Sequence, residues 1–138
     1  MLPGLLAASM LTVLSAIHCY WAFGGQWGGS SVLPEVGGET LFHPGKGVTL
    51  LVALLLALAA LTILGHLGLW GTAIPAWLFS WGTRFIAGAF FLRVIGDFRF
   101  VGLFKRVRTT RFAYWDSRLY VPLCMTIAVL TFFASGRN

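Results

Sequence analysis

Four long apolar runs constrain this chain more than any other feature of its sequence. They occupy approximately residues 4–23, 47–64, 72–95 and 119–135. A helix needs roughly 20 apolar residues to cross the core of a bilayer, and each run comes close to that length. Only 10% of the 138 residues are charged, whereas a soluble domain has about 25%, so the chain could not cover a water-facing surface. The runs predict a single integral membrane domain, an all-α bundle of four transmembrane helices.

Two long connections are expected on the same face of this bundle, because four spans return both termini to the opposite face. Loop 1, residues 24–46, is rich in glycine, which favours neither helix nor strand. Loop 3, residues 96–118, contains six of the ten basic residues of the sequence. These are Arg99, Lys105, Arg106, Arg108, Arg111 and Arg118. Because basic residues collect in cytoplasmic loops, we expect both loops to face the cytoplasm. If the arginines bind a ligand, their position is a poor marker of membrane orientation, and the opposite orientation stays open.

We interpret the excess of basic over acidic residues as a sign that the protein contacts membrane lipids. The net charge is +6, and in a soluble protein such a charge would suggest nucleic acid as a partner. Here the basic residues adjoin the spans, where they set orientation and contact anionic lipid head groups. Nucleic-acid binding is not predicted, because no charged surface away from the membrane is available to form a groove. The sequence leaves a homo-oligomer open.

Arg84 lies near the middle of the third run, where a charge is costly. Placing a basic residue at the bilayer centre costs about 2.5–3.5 kcal/mol on insertion scales. All four acidic residues of the sequence lie in loops or at the ends of runs, so none neutralises Arg84 at that depth. Either the side chain reaches toward the interface or a backbone carbonyl, or it faces a polar interior that holds an anion.

Arg93 and Asp97 are four residues apart, so on a continuing helix they would lie on one face and form an ion pair. One interpretation is simple neutralisation of charge near the lipid. The other is an anion site, in which Arg93 and Arg99 hold a head group and Asp97 orders them. The planar guanidinium suits this role, because it can bond a phosphate or carboxylate through two donors at once.

The leading functional hypothesis is a protein that binds or moves an anionic amphiphile, such as a lipid phosphate or carboxylate, near the face of loops 1 and 3. The predicted ligand-binding residues are Arg84, Arg93, Asp97, Arg99, His18, Trp21 and Asp116. A membrane-embedded enzyme that uses His18 with Asp97 or Asp116 as acid and base is a rival from another class, and it is less favoured. A structural or partner-binding membrane subunit is the third alternative.

No metal or cofactor is expected. His18 and His43 together with an acidic residue would supply metal ligands, but their spacing matches no zinc-binding pattern. The glycine-rich loop lacks the pattern of a phosphate-binding loop. Cys19 and Cys124 lie in different runs without the C-x-x-C spacing of thiol oxidoreductases, and we expect both to be buried as small apolar residues.

Three motifs resemble a known family. They are HCYWAFGGQWG at residues 18–28, RVIGDFRFVGLFKR at 93–106 and FAYWDSRLYVPLC at 112–124. In these motifs the chain is similar to a family of small four-span bacterial membrane proteins that is catalogued as a domain of unknown function. The resemblance implies four helices and a bacterial inner membrane, and it brings no activity, substrate or catalytic residue.

Overall fold

The computed structural model describes residues 1–37, 39–41 and 43–136, and most of them are helical. In chain order the elements are α1 (Leu2–Ala22), α2 (Gly29–Val32), β1 (Glu35–Val36), β2 (Glu39–Thr40), α3 (Lys46–His66), α4 (Ala76–Ile95), α5 (Arg111–Trp115), a π-helical turn (Asp116–Tyr120) and α6 (Val121–Ser135). Within these residues four helices are long and apolar enough to cross a membrane, and the fourth is the continuous helix Arg111–Ser135. The predicted all-α membrane bundle is confirmed.

The helices form a four-sided bundle. Helix α1 packs mainly against α3 and α6, and α4 packs against the same two helices. Helices α1 and α4 therefore lie on opposite sides. The core between them consists of Ala7, Ala8, Leu11, Ala60, Ile63, Ile86 and Ile127. Small alanines on α1 and α3 let these two helices approach closely, which is how transmembrane helices pack when lipid supplies no hydrophobic drive.

The fourth helix begins at Arg111, well before the predicted start near residue 119. Thr110 precedes it as a cap, and its Oγ1 accepts a hydrogen bond from the Ala113 N–H at 3.1 Å, which satisfies a free amide of the first turn. The π-helical turn ends where the Val121 N–H bonds the carbonyl of Asp116. Pro122, next in the chain, has no N–H to donate, and the wider turn fits this gap in the bonding pattern. Asp116, predicted to lie in a loop, is therefore helical.

Loop 1 contains short regular elements, contrary to the expectation from its glycines. Strands β1 and β2 pair antiparallel, with Glu35 opposite Thr40 and Val36 opposite Glu39. Tyr120 connects the loop to the fourth helix, since its hydroxyl donates to the carbonyl of Ser31 at 3.0 Å. This hydrogen bond holds loop 1 at the end of the bundle where α4 terminates.

Candidate functional site

A fully buried carboxylate organises this end of the bundle. Asp116 is inaccessible to solvent, and its two oxygens accept three hydrogen bonds. Oδ1 accepts from Nη2 of Arg93 at 2.8 Å. Oδ2 accepts from the N–H of Gly102 at 2.8 Å and from Nζ of Lys105 at 3.0 Å. The carboxylate thus joins three segments. Arg93 lies at the end of α4, Gly102 and Lys105 lie in the turn that follows, and Asp116 lies in the fourth helix.

Lys105 is almost fully buried and makes two further hydrogen bonds. Its Nζ donates to the carbonyl of Gly102 at 3.0 Å and to Oγ of Ser117 at 2.7 Å. Lysine is rarely buried to this extent unless it is paired. We refer to Arg93, Gly102, Lys105, Asp116 and Ser117 as the Asp116 cluster. The cluster holds two cations and one carboxylate, so it carries an excess positive charge, and Nη1 of Arg93 is buried without a hydrogen-bond partner among the described residues.

The turn between α4 and α5, residues 96–110, folds back over the end of α4. The N–H of Leu103 donates to the carbonyl of Val94 at 2.8 Å. Gly96 and Gly102 allow this return, since their φ angles are 84° and 91°, values that favour glycine. A Cβ on Gly96 would collide with the backbone oxygen of Val101. The two glycines are therefore required for the backbone contact that positions the Gly102 amide on Asp116.

Asp97 stabilises the same turn from its outer side. Its Oδ1 accepts hydrogen bonds from the amides of Arg99 at 2.9 Å, Phe100 at 2.8 Å and Val101 at 2.9 Å. Desolvation acts to raise the pKa of Asp97, but these three amides outweigh it and hold the pKa below its ordinary value. The expected pair between Arg93 and Asp97 is wrong, because α4 ends at Ile95 and Arg93 bonds Asp116 instead.

An open groove of about 510 Å³ lies on the outer side of the turn. It is lined by Asp97, Phe98, Arg99, Arg106 and Val107. Both arginines are exposed, and neither forms an ion pair with a carboxylate among the described residues. The guanidinium of Arg99 lies 5.0 Å from the ring centre of Phe100. Backbone amides occupy Oδ1 of Asp97, so two guanidinium groups and one carboxylate face the groove, which keeps a net positive charge. We call this feature the loop 3 groove.

Arg84 lies apart from both the cluster and the groove. It is exposed on the outer side of α4, and its guanidinium lies 5.3 Å from the ring centre of Trp81. Arg84 and Arg93 are nine residues apart, which at helical pitch puts them about 180° from each other around the axis. The sequence had suggested that Arg84, Arg93 and Arg99 contact one ligand. The structure does not bring these three side chains together.

His18 and Trp21 belong to the end of α1 and contact each other. Nδ1 of His18 donates to the carbonyl of Leu14 at 2.8 Å, and its ring lies edge-on to Trp21 at 5.1 Å. The indole N–H of Trp21 donates to the carbonyl of Trp27 at 2.8 Å. In the described part of the chain, His18 bonds no carboxylate, so the acid–base pair with Asp97 or Asp116 is not formed.

Metal ligands and thiols give no further site in the part of the chain that the structure describes. No group of three or more His, Cys, Asp and Glu side chains there could hold a metal ion. Cys19 and Cys124 are free thiols and are partly buried.

Lys105, Gly102 and Ser117 were not predicted as site residues. Lys105 and Asp116 are eleven positions apart, but a turn and a helix start lie between them, so periodicity within one helix or strand could not predict their contact. One signal was available in the sequence: Gly96 and Gly102 flank Asp97 within a charged segment, which is typical of a tight turn.

Comparison with known proteins identifies a family. The model of the family described as "Protein of unknown function (DUF3995)" matches residues 11–131, a range that contains the Asp116 cluster and the loop 3 groove. No curated protein and no solved structure matches the chain.

Proposed function

The chain belongs to the DUF3995 family of proteins of unknown function, and on that premise we propose that this multi-pass membrane protein binds an anionic amphiphile in the loop 3 groove. The ligand is a lipid with a phosphate or carboxylate head group. One observation carries the proposal: Arg99 and Arg106 line the same open groove, and no described carboxylate pairs with either.

The charges of the groove suit an anionic head group. Guanidinium groups bond phosphate and carboxylate through paired donors, and such charge-assisted hydrogen bonds are about twice as strong as neutral ones. Asp97 pairs with neither arginine, and its Oδ1 is held by the amides of Arg99, Phe100 and Val101. The same three bonds fix the backbone from which Arg99 projects.

Aromatic side chains beside the groove suit the apolar part of the ligand. Phe98 and Phe104 are 57% and 59% exposed, and their ring centres are 6.2 Å apart. The turn follows directly on the last residue of α4, Ile95, so it lies at the end of a membrane span. Lipid head groups and the first part of the acyl chains occupy this depth. A lipid could therefore contact the arginines and the phenylalanines at once.

The Asp116 cluster supports the groove from behind. Gly102 and Lys105 lie within the turn that forms the groove, and both bond Asp116. These contacts fix the turn on the bundle without using Arg99 or Arg106. The excess positive charge of the cluster adds to the local potential that attracts an anion.

In this proposal the protein lies in the bacterial inner membrane with loop 1 and the turn 96–110 facing the cytoplasm. The basic residues of the turn and of α5 support this orientation through the positive-inside tendency. The cytoplasmic leaflet is also the one with a negative surface potential from anionic lipids. An arginine groove facing it would meet a high concentration of suitable ligands.

The test is selective lipid retention. The protein is purified in mild detergent containing equal amounts of phosphatidylglycerol, phosphatidylcholine and oleic acid, and bound lipid is quantified by mass spectrometry. We expect an anionic lipid to be retained over phosphatidylcholine. Loss of one charge-assisted contact in Arg99→Gln or Arg106→Gln should lower retention about tenfold. The phosphatidylglycerol and oleic acid arms distinguish a phosphate ligand from a carboxylate ligand.

Arg118→Gln is the matched control for charge. Arg118 is exposed at the same end of the bundle, but its guanidinium stacks on Tyr114 at 4.4 Å and bonds the Tyr114 hydroxyl at 2.7 Å. It does not line the groove, so its removal should leave retention unchanged. Equal losses in Arg118→Gln and Arg99→Gln, or no loss in either groove variant, would contradict the proposal.

A further inference from the structure

A charged side chain lies on the outer surface of a membrane span. Arg84 is exposed, and it lies about 12 Å along the axis from the first residue of α4 and about 17 Å from the last. Arginines near helix ends reach the head groups by snorkelling, but Arg84 is near the middle. Its guanidinium lies over Trp81, about one turn toward the start of α4, and so stays within the span, where a charge costs up to about 2.5–3.5 kcal/mol.

The contacts of Arg84 within the chain do not neutralise it. The ion pairs of Asp116 with Arg93 and Lys105 belong to the Asp116 cluster, on the far side of α4. The described contact of Arg84 is with the face of Trp81, and a cation–π contact is attractive without supplying a negative charge. Trp81 is itself 63% exposed, so the pair faces away from the bundle.

The surface around Arg84 has the shape of a helix-packing site. Trp77, Trp81, Arg84, Phe85 and Gly88 share one side of α4 at helical spacing, and we call them the Arg84 face. Phe85 is 77% exposed. A Cβ built on Gly88 would meet nothing within 4 Å, so Gly88 leaves a gap one turn from Arg84. Small residues in such gaps let the backbone of another helix come close.

We propose that the Arg84 face binds a transmembrane helix of a partner membrane protein that carries an aspartate or glutamate at mid-bilayer depth. Charge complementarity selects this occupant over a second copy of the chain. The acidic residues of the sequence are Glu35, Glu39, Asp97 and Asp116. Glu35 and Glu39 lie in loop 1, Asp97 lies in the turn after α4, and Asp116 is already bonded within the cluster. A second copy would therefore bring a second arginine without a carboxylate to match it.

A synthetic helix provides the probe. The purified protein carries a fluorescent donor and is reconstituted in phosphatidylcholine vesicles with an acceptor-labelled leucine–alanine helix of about 20 residues. The central residue of this helix is glutamate, glutamine or leucine. We expect energy transfer to show about tenfold stronger association with the glutamate helix than with the leucine helix. Arg84→Leu should remove this preference.

A second variant tests the shape of the face without touching the charge. Gly88→Leu fills the gap with a side chain that has open space around it, so the fold should persist while the approaching helix is blocked. Ala89→Leu is its matched control, because Ala89 is also exposed but points about 100° away. We expect weak association in Gly88→Leu and normal association in Ala89→Leu.

Three results would overturn the proposal. The first is equal association of the glutamate and leucine helices with the unmodified protein. The second is an unchanged preference in both Arg84→Leu and Gly88→Leu. The third is energy transfer between donor- and acceptor-labelled copies of the protein that Arg84→Leu abolishes, which would make a second copy the occupant. None of these results bears on lipid retention by the loop 3 groove, so the two proposals fail separately.

Discussion

Asp116 accepts bonds from Arg93 and Lys105, so its charge balances that of the buried Lys105 and, in part, that of the half-buried Arg93. In Asp116→Asn the shape is kept, but both cations lose their counter-charge, and Lys105 does so where water does not reach. Removing one partner of a buried ion pair costs about 3–5 kcal/mol. We expect the free energy of unfolding to fall by this amount, measured by thermal or denaturant unfolding in detergent micelles with helical circular dichroism as the signal.

Two comparisons isolate the charge effect in this prediction. Lys105→Met leaves the ion pair of Arg93 and Asp116, in which the two charges cancel. It should therefore destabilise the protein less than Asp116→Asn does. Glu39→Gln removes an exposed acid in loop 1 and should change the unfolding free energy by less than about 0.5 kcal/mol. A larger effect of Lys105→Met than of Asp116→Asn would mean that packing, not charge, dominates the cluster.

Residue spacing in the sequence did not predict these contacts, but it could have corrected one expectation. The nine-residue separation of Arg84 and Arg93 already puts them on opposite sides of a helix, so helical geometry alone argues against a shared ligand. The bond between Arg93 and Asp116 could not be predicted, because it depends on the path of the turn between them. That path is fixed by backbone contacts of Gly96 and Gly102, and a sequence does not display such contacts.

At the scale of the element, Asp97 makes the turn sensitive to pH. Its pKa is lowered in the folded protein, so the carboxylate stabilises the turn at pH values above its ordinary pKa. This contribution is lost as the pH falls through the lowered value, below about pH 4. We expect the amide NMR signals of Arg99, Phe100 and Val101 in micelles to shift together in that range, as their bonds to Oδ1 weaken.

Asp97→Asn supplies the control for this titration. The side-chain oxygen can still accept from the three amides, but it does not titrate, so the shift of the three signals near and below pH 4 should disappear. A midpoint above the ordinary pKa of an aspartate, or an unchanged titration in Asp97→Asn, would show that another group controls the turn.

The helices were predictable to different degrees. Helices α1, α3 and α4 follow from apolar runs of sufficient length. The early start of the fourth helix did not follow, because Arg111, Asp116 and Arg118 interrupt the apolar run. Charge at an interface does not stop a helix whose first turn is capped, and Thr110 was a recognisable cap residue. The π-helical turn has no sequence signature beyond the proline that follows it.

At the scale of the whole molecule, polar chemistry is concentrated at one end of an apolar bundle. The Asp116 cluster, the loop 3 groove and loop 1 lie where α4 ends, as the Tyr120 bond to Ser31 shows. Near the opposite end, Nε2 of His66, the last residue of α3, lies 3.2 Å from the carbonyl of Ala134 in α6. The bundle and its asymmetry follow from run lengths and charge counts. The inward convergence of the arginines that the sequence predicted is not found in the structure, because side chains on a span can face lipid as well as the core.

The orientation of this asymmetric bundle can be measured directly. If the basic end faces the cytoplasm, a reporter fused after Gly136 lies outside, so green fluorescent protein should be dark there and alkaline phosphatase active. A fusion after Gly71, in the turn between α3 and α4, should agree with it. A fusion after Thr109 should give the opposite pair of signals. Fluorescence at Gly136 and Gly71 would reverse the orientation, and the arginines of the turn would then be retained against the positive-inside tendency, as residues that bind a ligand on the outer face.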